Sequence, residues 1–140
     1  MIIYLDTSSL VKLYVEEAHS DAVRRWMEEA EILATCRIAY PEMVSALNRR
    51  LRQGDISKKE YNLLTAKFFK EWIDFAVIDF SEIEAGDLID KYGLRGFDAV
   101  HLSAAKLLKD KQTDIALSFS SFDEKLNKAA SSEGFTILSP

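Results

Sequence analysis

The sequence predicts an α/β sandwich: a central, mainly parallel sheet of about five strands, crossover helices, and a helical hairpin at one side. Two observations carry this expectation. Short apolar runs alternate with longer amphipathic ones, and each short run is bounded too closely for a helix. Helix start and stop signals fall between the runs rather than inside them. A length of 140 residues suits one domain, so 1–140 reads as a single unit.

The strand-like runs are Ile2–Leu5 and residues 32–34, 75–78, 115–117 and 135–138. Pro41 suits the first turn of a helix running to about Arg52, with Gly54 as its stop. Ser57 with Glu60 forms a capping-box pattern opening a long helical stretch over 57–75, which follows directly and makes the hairpin. Ser81 with Glu84 opens the next helix, and Gly93 stops it. Asp98 begins the helix after the turn from Gly93 to Gly96. Ser121 with Glu124 repeats the capping pattern near the end of the chain.

Hydrophobic residues make up 48% of the chain, enough for a core. Eighteen basic and 23 acidic residues give a net charge of −5, which argues against coating nucleic acid by bulk charge but leaves room for a local basic rim. Cys36 is the only cysteine, so an internal disulfide and a thiolate metal centre are excluded, and it reads as a small buried apolar residue. No apolar run approaches the ~20 residues that cross a bilayer, and no basic-then-apolar leader opens the chain; the expected location is the cytoplasm, with no membrane partner.

In an open parallel sheet, ligands bind beyond the carboxyl ends of the strands. Four acids fall there. Asp6 directly follows the first strand, Glu42 lies in the first turn after the second, and Asp98 begins the helix after the glycine turn. Asp123 follows the fourth strand, in the first turn of the Ser121 helix, whereas Asp114 precedes that strand and belongs to the opposite edge. Singly, Glu42, Asp98 and Asp123 are also what a helix dipole favours. Together, carboxylates crowded into one cleft repel one another, and a hard divalent cation such as Mg²⁺ or Mn²⁺ relieves the conflict. Such an ion activates water and stabilises charge on a phosphodiester oxygen. Without cysteine ligands or a histidine pair at ligand spacing, structural zinc is disfavoured.

Four segments now stand in order: Tyr4-Leu5-Asp6-Thr7-Ser8-Ser9-Leu10, Tyr40-Pro41-Glu42-Met43-Val44-Ser45-Ala46-Leu47, Leu94-Arg95-Gly96-Phe97-Asp98-Ala99-Val100-His101-Leu102 and Ser121-Phe122-Asp123-Glu124-Lys125-Leu126. This set resembles the PIN domain, and within it the VapC toxins of toxin–antitoxin pairs, over essentially the whole chain. The resemblance implies a PIN-like three-layer α/β/α sandwich and a Mg²⁺- or Mn²⁺-dependent endoribonuclease acting on RNA. It carries Asp6, Glu42, Asp98 and Asp123 over as the catalytic, metal-binding acids, supported by hydroxyls at Thr7, Ser8 and Ser121. It also implies a protein antitoxin and a homodimer.

Other residues invite a role. His101, three residues after Asp98, reads as a part-buried, hydrogen-bonded structural histidine before it reads as an acid or a ligand. His19 has none. Arg49, Arg50 and Arg52 complement the dipole at a helix end and could also face RNA phosphates, but Lys12 and Arg95, each beside a site motif, are the preferred RNA-binding rim. Tyr61, Leu64, Phe68, Phe69 and Trp72 form an apolar stripe at helical spacing; most of it reads as core, and the resemblance makes Tyr61, Phe68, Phe69 and Trp72 a candidate antitoxin groove. Three alternatives differ in class. One is a PIN RNA-processing nuclease without an antitoxin. Another is a non-catalytic RNA- or protein-binding module, disfavoured by the intact quartet. The third is an aspartyl-phosphate phosphatase, disfavoured because Ser8 stands where such sites need a second aspartate.

Overall fold

A computed structural model describes residues 1–140. In chain order the elements are β1 (Ile2–Leu5), α1 (Thr7–Val11), α2 (Ser20–Glu29), β2 (Ile32–Cys36), α3 (Ala39–Arg52), α4 (Lys58–Glu71), β3 (Ala76–Ile78), α5 (Glu82–Tyr92), α6 (Gly96–Lys111), β4 (Leu117–Ser120), α7 (Glu124–Ser132) and β5 (Thr136–Ile137). A 3₁₀ turn, Trp72–Asp74, follows α4. The five strands form one sheet in the order β3-β2-β1-β4-β5, every pairing parallel.

β1 lies at the centre and is buried on both faces, which its unbroken apolar run requires. Its alternation divides the interior. Ile2 and Tyr4 join the core made with Ala85 and Leu88 of α5, Leu102 of α6 and Leu126 of α7. Ile3 and Leu5 join the other, with Leu10 of α1, Val23 of α2, Met43 and Leu47 of α3, and Phe68 of α4. Helices therefore cover both faces, giving the expected three layers.

α3 and α4 form the expected hairpin, bridged by Asn48 Nδ2 to Tyr61 Oη at 3.4 Å. Gly54, at φ +80, turns the chain between them. The capping box of α4 is complete: Ser57 accepts from Glu60 N–H, and Glu60 reaches back to Ser57 N–H. Gly93, at φ +67, closes α5 by donating to Ile89 C=O at 2.7 Å. Beyond α7, Glu133 accepts from Lys91, Lys106 and Tyr92 and ties α5 and α6 to the end of α7. No helix is long and apolar enough to cross a membrane.

Two expectations are corrected. The fourth strand is not 115–117 but Leu117–Ser120, and Ile115 lies exposed before it. Its serines hid it: Ser118 and Ser120 are buried, and Ser120 Oγ meets Ser9 Oγ at 2.8 Å. Nor does Ser121 cap α7. That cap is Asp123, whose Oδ1 accepts from Leu126 N–H at 2.8 Å.

Candidate active site

β1 pairs with β2 on one side and β4 on the other, so the order in which successive strands are laid down reverses beside β1. The crevice beyond such a switch is where an open α/β sheet binds ligands. A cavity of about 510 Å³ opens there, and Asp6, Glu42, Asp98 and Asp123 all line it.

Asp6 is buried and caps α1. Its Oδ1 accepts from Ser9 N–H at 3.0 Å and Ser8 Oγ–H at 2.7 Å, and its Oδ2 from Ser121 Oγ–H at 2.6 Å. Ser8 Oγ also accepts from Phe122 N–H (2.9 Å), and Ser121 Oγ from Asp123 N–H (3.0 Å). The ends of β1 and β4 are thereby stitched around one carboxylate. Burial pushes the Asp6 carboxyl up, while His101 and the donors from Ser121, Ser8 and Ser9 oppose the shift.

Glu42 is half-buried in the first turn of α3. Its Oε1 accepts from Thr7 Oγ–H at 2.6 Å and His101 Nε2–H at 2.7 Å. Burial pushes this carboxyl up, but the hydrogen bond and field of His101 and the bond from Thr7 outweigh it and hold it below its ordinary value. Asp98, in the first turn of α6, is shifted upward, first by burial and then by the Asp123 charge; Arg95 opposes this, and Asp6 adds to it. Arg95 spans the two aspartates, 3.5 Å from Asp98 Oδ2 and 3.4 Å from Asp123 Oδ2, with its side chain 83% exposed.

His101 is buried, with Tyr4 Oη 2.8 Å from Nδ1 and Thr7 Oγ 3.1 Å from Nε2. Sequence reasoning anticipated a bonded histidine and missed Tyr4, whose place in an apolar strand gave no polar signal. It ranked Arg49 behind Lys12 and Arg95 for the rim and gave Phe97 no role. Arg49 is exposed and lines the cleft; Phe97 lines it beside Asp98 and is 59% exposed.

Two expectations about neighbouring residues are overturned. Lys12 is not on an open rim: its Nζ binds Glu17 Oε1 at 2.9 Å and lies over the Phe122 ring, and its side chain is almost covered. Phe68 cannot line a groove, because it is fully buried between Tyr14, Tyr40 and Trp72. Tyr61 and Trp72 are half-buried against the same core, and only Phe69 of the four turns outward, at 73% exposure.

The donors suit a hard cation. Four carboxylates line one cleft, and the Asp123 and Asp6 charges that help raise the Asp98 carboxyl are the conflict a cation would relieve. No three His, Cys, Asp or Glu side chains close tightly enough to cage an ion by themselves.

The PIN-domain profile matches residues 3–131, and the chain belongs to that family. Ribonuclease VapC46 of Mycobacterium tuberculosis is 31% identical over 138 residues, covering 99% of this chain and 97% of its relative. Two solved structures share the fold. PAE2754 from Pyrobaculum aerophilum has a TM-score of 0.69 at 21% identity, covering 98% of this chain and 83% of the other. Mycobacterium tuberculosis VapC20, a sarcin–ricin-loop-cleaving toxin, has a TM-score of 0.65 at 17% identity, covering 99% of each chain.

Proposed function

We propose that this chain is a metal-dependent endoribonuclease and the toxin of a VapBC-like toxin–antitoxin pair, working in the cytoplasm. The observation that carries the reading is the convergence of Asp6, Glu42, Asp98 and Asp123 on one cleft of a PIN domain. The ribonuclease VapC relatives support the substrate class.

Asp6, Glu42, Asp98 and Asp123 would hold Mg²⁺ or Mn²⁺. When bound, such an ion supplies water activation and charge stabilisation at a phosphodiester oxygen. The chain's own groups provide the rest. Ser8, Ser9 and Ser121 fix both oxygens of Asp6, and Thr7 and His101 fix Oε1 of Glu42, so the acids need little rearrangement on binding. Arg49 and Arg95 supply positive charge for the substrate's phosphates on a chain whose net charge is negative. Phe97 offers an exposed ring on which an unpaired base can stack.

The antitoxin partner follows from α4. Leu63 and Phe69 of that helix, and Ile73 just beyond it, stand exposed on the side opposite the buried Phe68. An amphipathic antitoxin helix would cover them, and an arginine in its tail would pair with the cleft carboxylates. A homodimer is also expected, and sedimentation of the purified chain reads it directly. The nuclease reading is tested with purified protein and RNA. Cleavage with Mg²⁺ or Mn²⁺ and none after EDTA is the expected result, and cleavage that survives thorough chelation overturns it.

A further inference from the structure

We infer that Tyr4 and His101 act as a positioning pair: the Tyr4 hydroxyl holds the His101 ring in place, and His101 fixes the Glu42 carboxylate for its cation. The inference rests on Glu42 being a ligand, as proposed above. An ionised carboxylate only accepts hydrogen bonds, so the atom 2.7 Å from Glu42 Oε1, His101 Nε2, must carry a hydrogen. On the other side of the ring Nδ1 lies 2.8 Å from Tyr4 Oη, a hydroxyl that can donate or accept and so pairs with it. Both ring nitrogens of a buried side chain are thus satisfied, and the alternative tautomer would set two acceptors face to face at Glu42.

The pair is also rigid. Tyr4 is fully buried on the central strand, stacked on Phe119 at 5.5 Å and 7° and edge-on to His101 at 5.9 Å and 73°. Glu42 Oε1 receives both His101 and Thr7, whereas Oε2 takes no bond from the protein and is left for a cation. A strand residue on the far side of the histidine thereby sets the rotamer of a carboxylate on α3. Outer partners of this kind orient metal ligands and tune affinity.

The experiment measures Mn²⁺ affinity without RNA, by electron paramagnetic resonance, in full-length wild type, His101→Asn, His101→Gln, Tyr4→Phe and Glu42→Gln. Thermal melts check folding. Asparagine keeps an amide near Nδ1 but cannot reach Glu42, whereas glutamine places its amide N–H near Nε2. His101→Asn should lose about 10- to 100-fold in affinity, His101→Gln should recover most of it, and Tyr4→Phe should fall between them. In parallel, ¹⁵N NMR of the metal-free wild type should show a hydrogen on His101 Nε2; this reading needs no variant to fold. A ring protonated at Nδ1 alone overturns the inference. So does weak binding by Glu42→Gln beside unchanged binding by His101→Asn, or a glutamine variant no better than asparagine. Unchanged binding by Glu42→Gln brings down the ligand assignment itself, and the inference with it.

Discussion

Asp98 carries the clearest electrostatic conflict in the molecule. Burial, Asp123 and Asp6 all raise its carboxyl above the ordinary value, so the folded state favours the protonated acid. The stability linked to this group is greatest below the ordinary aspartate range and is lost as pH rises through the raised folded-state value. Asp98→Asn should therefore melt higher than wild type at pH 7 in EDTA, and the gap should close below about pH 4. RNA cleavage by Asp98→Asn and by Asp6→Asn should fall on the order of 100-fold or more. Full activity in both would remove the quartet from the mechanism. Arg49 and Lys12 make a second contrast. Arg49→Ala should weaken RNA binding and lower the slope of log affinity against log salt by about 1, with stability unchanged. Lys12→Ala should instead cost roughly 2 kcal/mol of stability through the lost bond to Glu17 and leave the salt slope alone. At this scale the four acids were legible because strand ends and first helical turns can be found by pattern. Lys12 was not, because Glu17 stands five residues on, past the end of α1, where no helical spacing announces a partner.

At the scale of the element, α4 presents two faces with different duties. Phe68 is fully buried and Phe69 is 73% exposed, one residue apart. Phe68→Ala should cost about 3–5 kcal/mol in a denaturant melt. Phe69→Asp should cost no more than about 0.5 kcal/mol and leave cleavage intact, yet weaken inhibition by the cognate antitoxin. Unchanged inhibition would move the partner to another face. The stripe was visible in the sequence, but not which of its residues point inward, because aromatic side chains at successive positions satisfy a helical period in more than one phase. Capping chemistry behaved differently at two starts. Ser57 caps α4 as its pattern requires, whereas Ser121 is drawn to Asp6 and leaves the cap of α7 to Asp123. A hydroxyl with two possible partners cannot be assigned from spacing alone.

For the whole molecule, the layer order was readable because β1 alternates Ile2 and Tyr4 against Ile3 and Leu5, and helices between parallel strands must cross over. The stitching of β1 to β4 was legible only in part: the resemblance marked Ser8 and Ser121 as support for the site, whereas the contact of Ser9 with Ser120 lay in serines that pattern reads as loop. As a toxin, the intact chain should arrest growth when expressed alone, and Asp6→Asn should not. A well-folded wild type that proves harmless would leave the nuclease and remove the toxin. The bond from Ser121 to Asp6 joins residues 115 positions apart. That separation bears on synthesis. While a ribosome is still translating the second half, β1 has no β4 beside it, Asp6 lacks its Ser121 donor, and Asp123 has yet to be made. Under the proposed function, a nascent chain should not cleave RNA until β4 has docked beside β1. Translation itself would then hold the nuclease back until β4 is made, which leaves time for an inhibitor to be waiting.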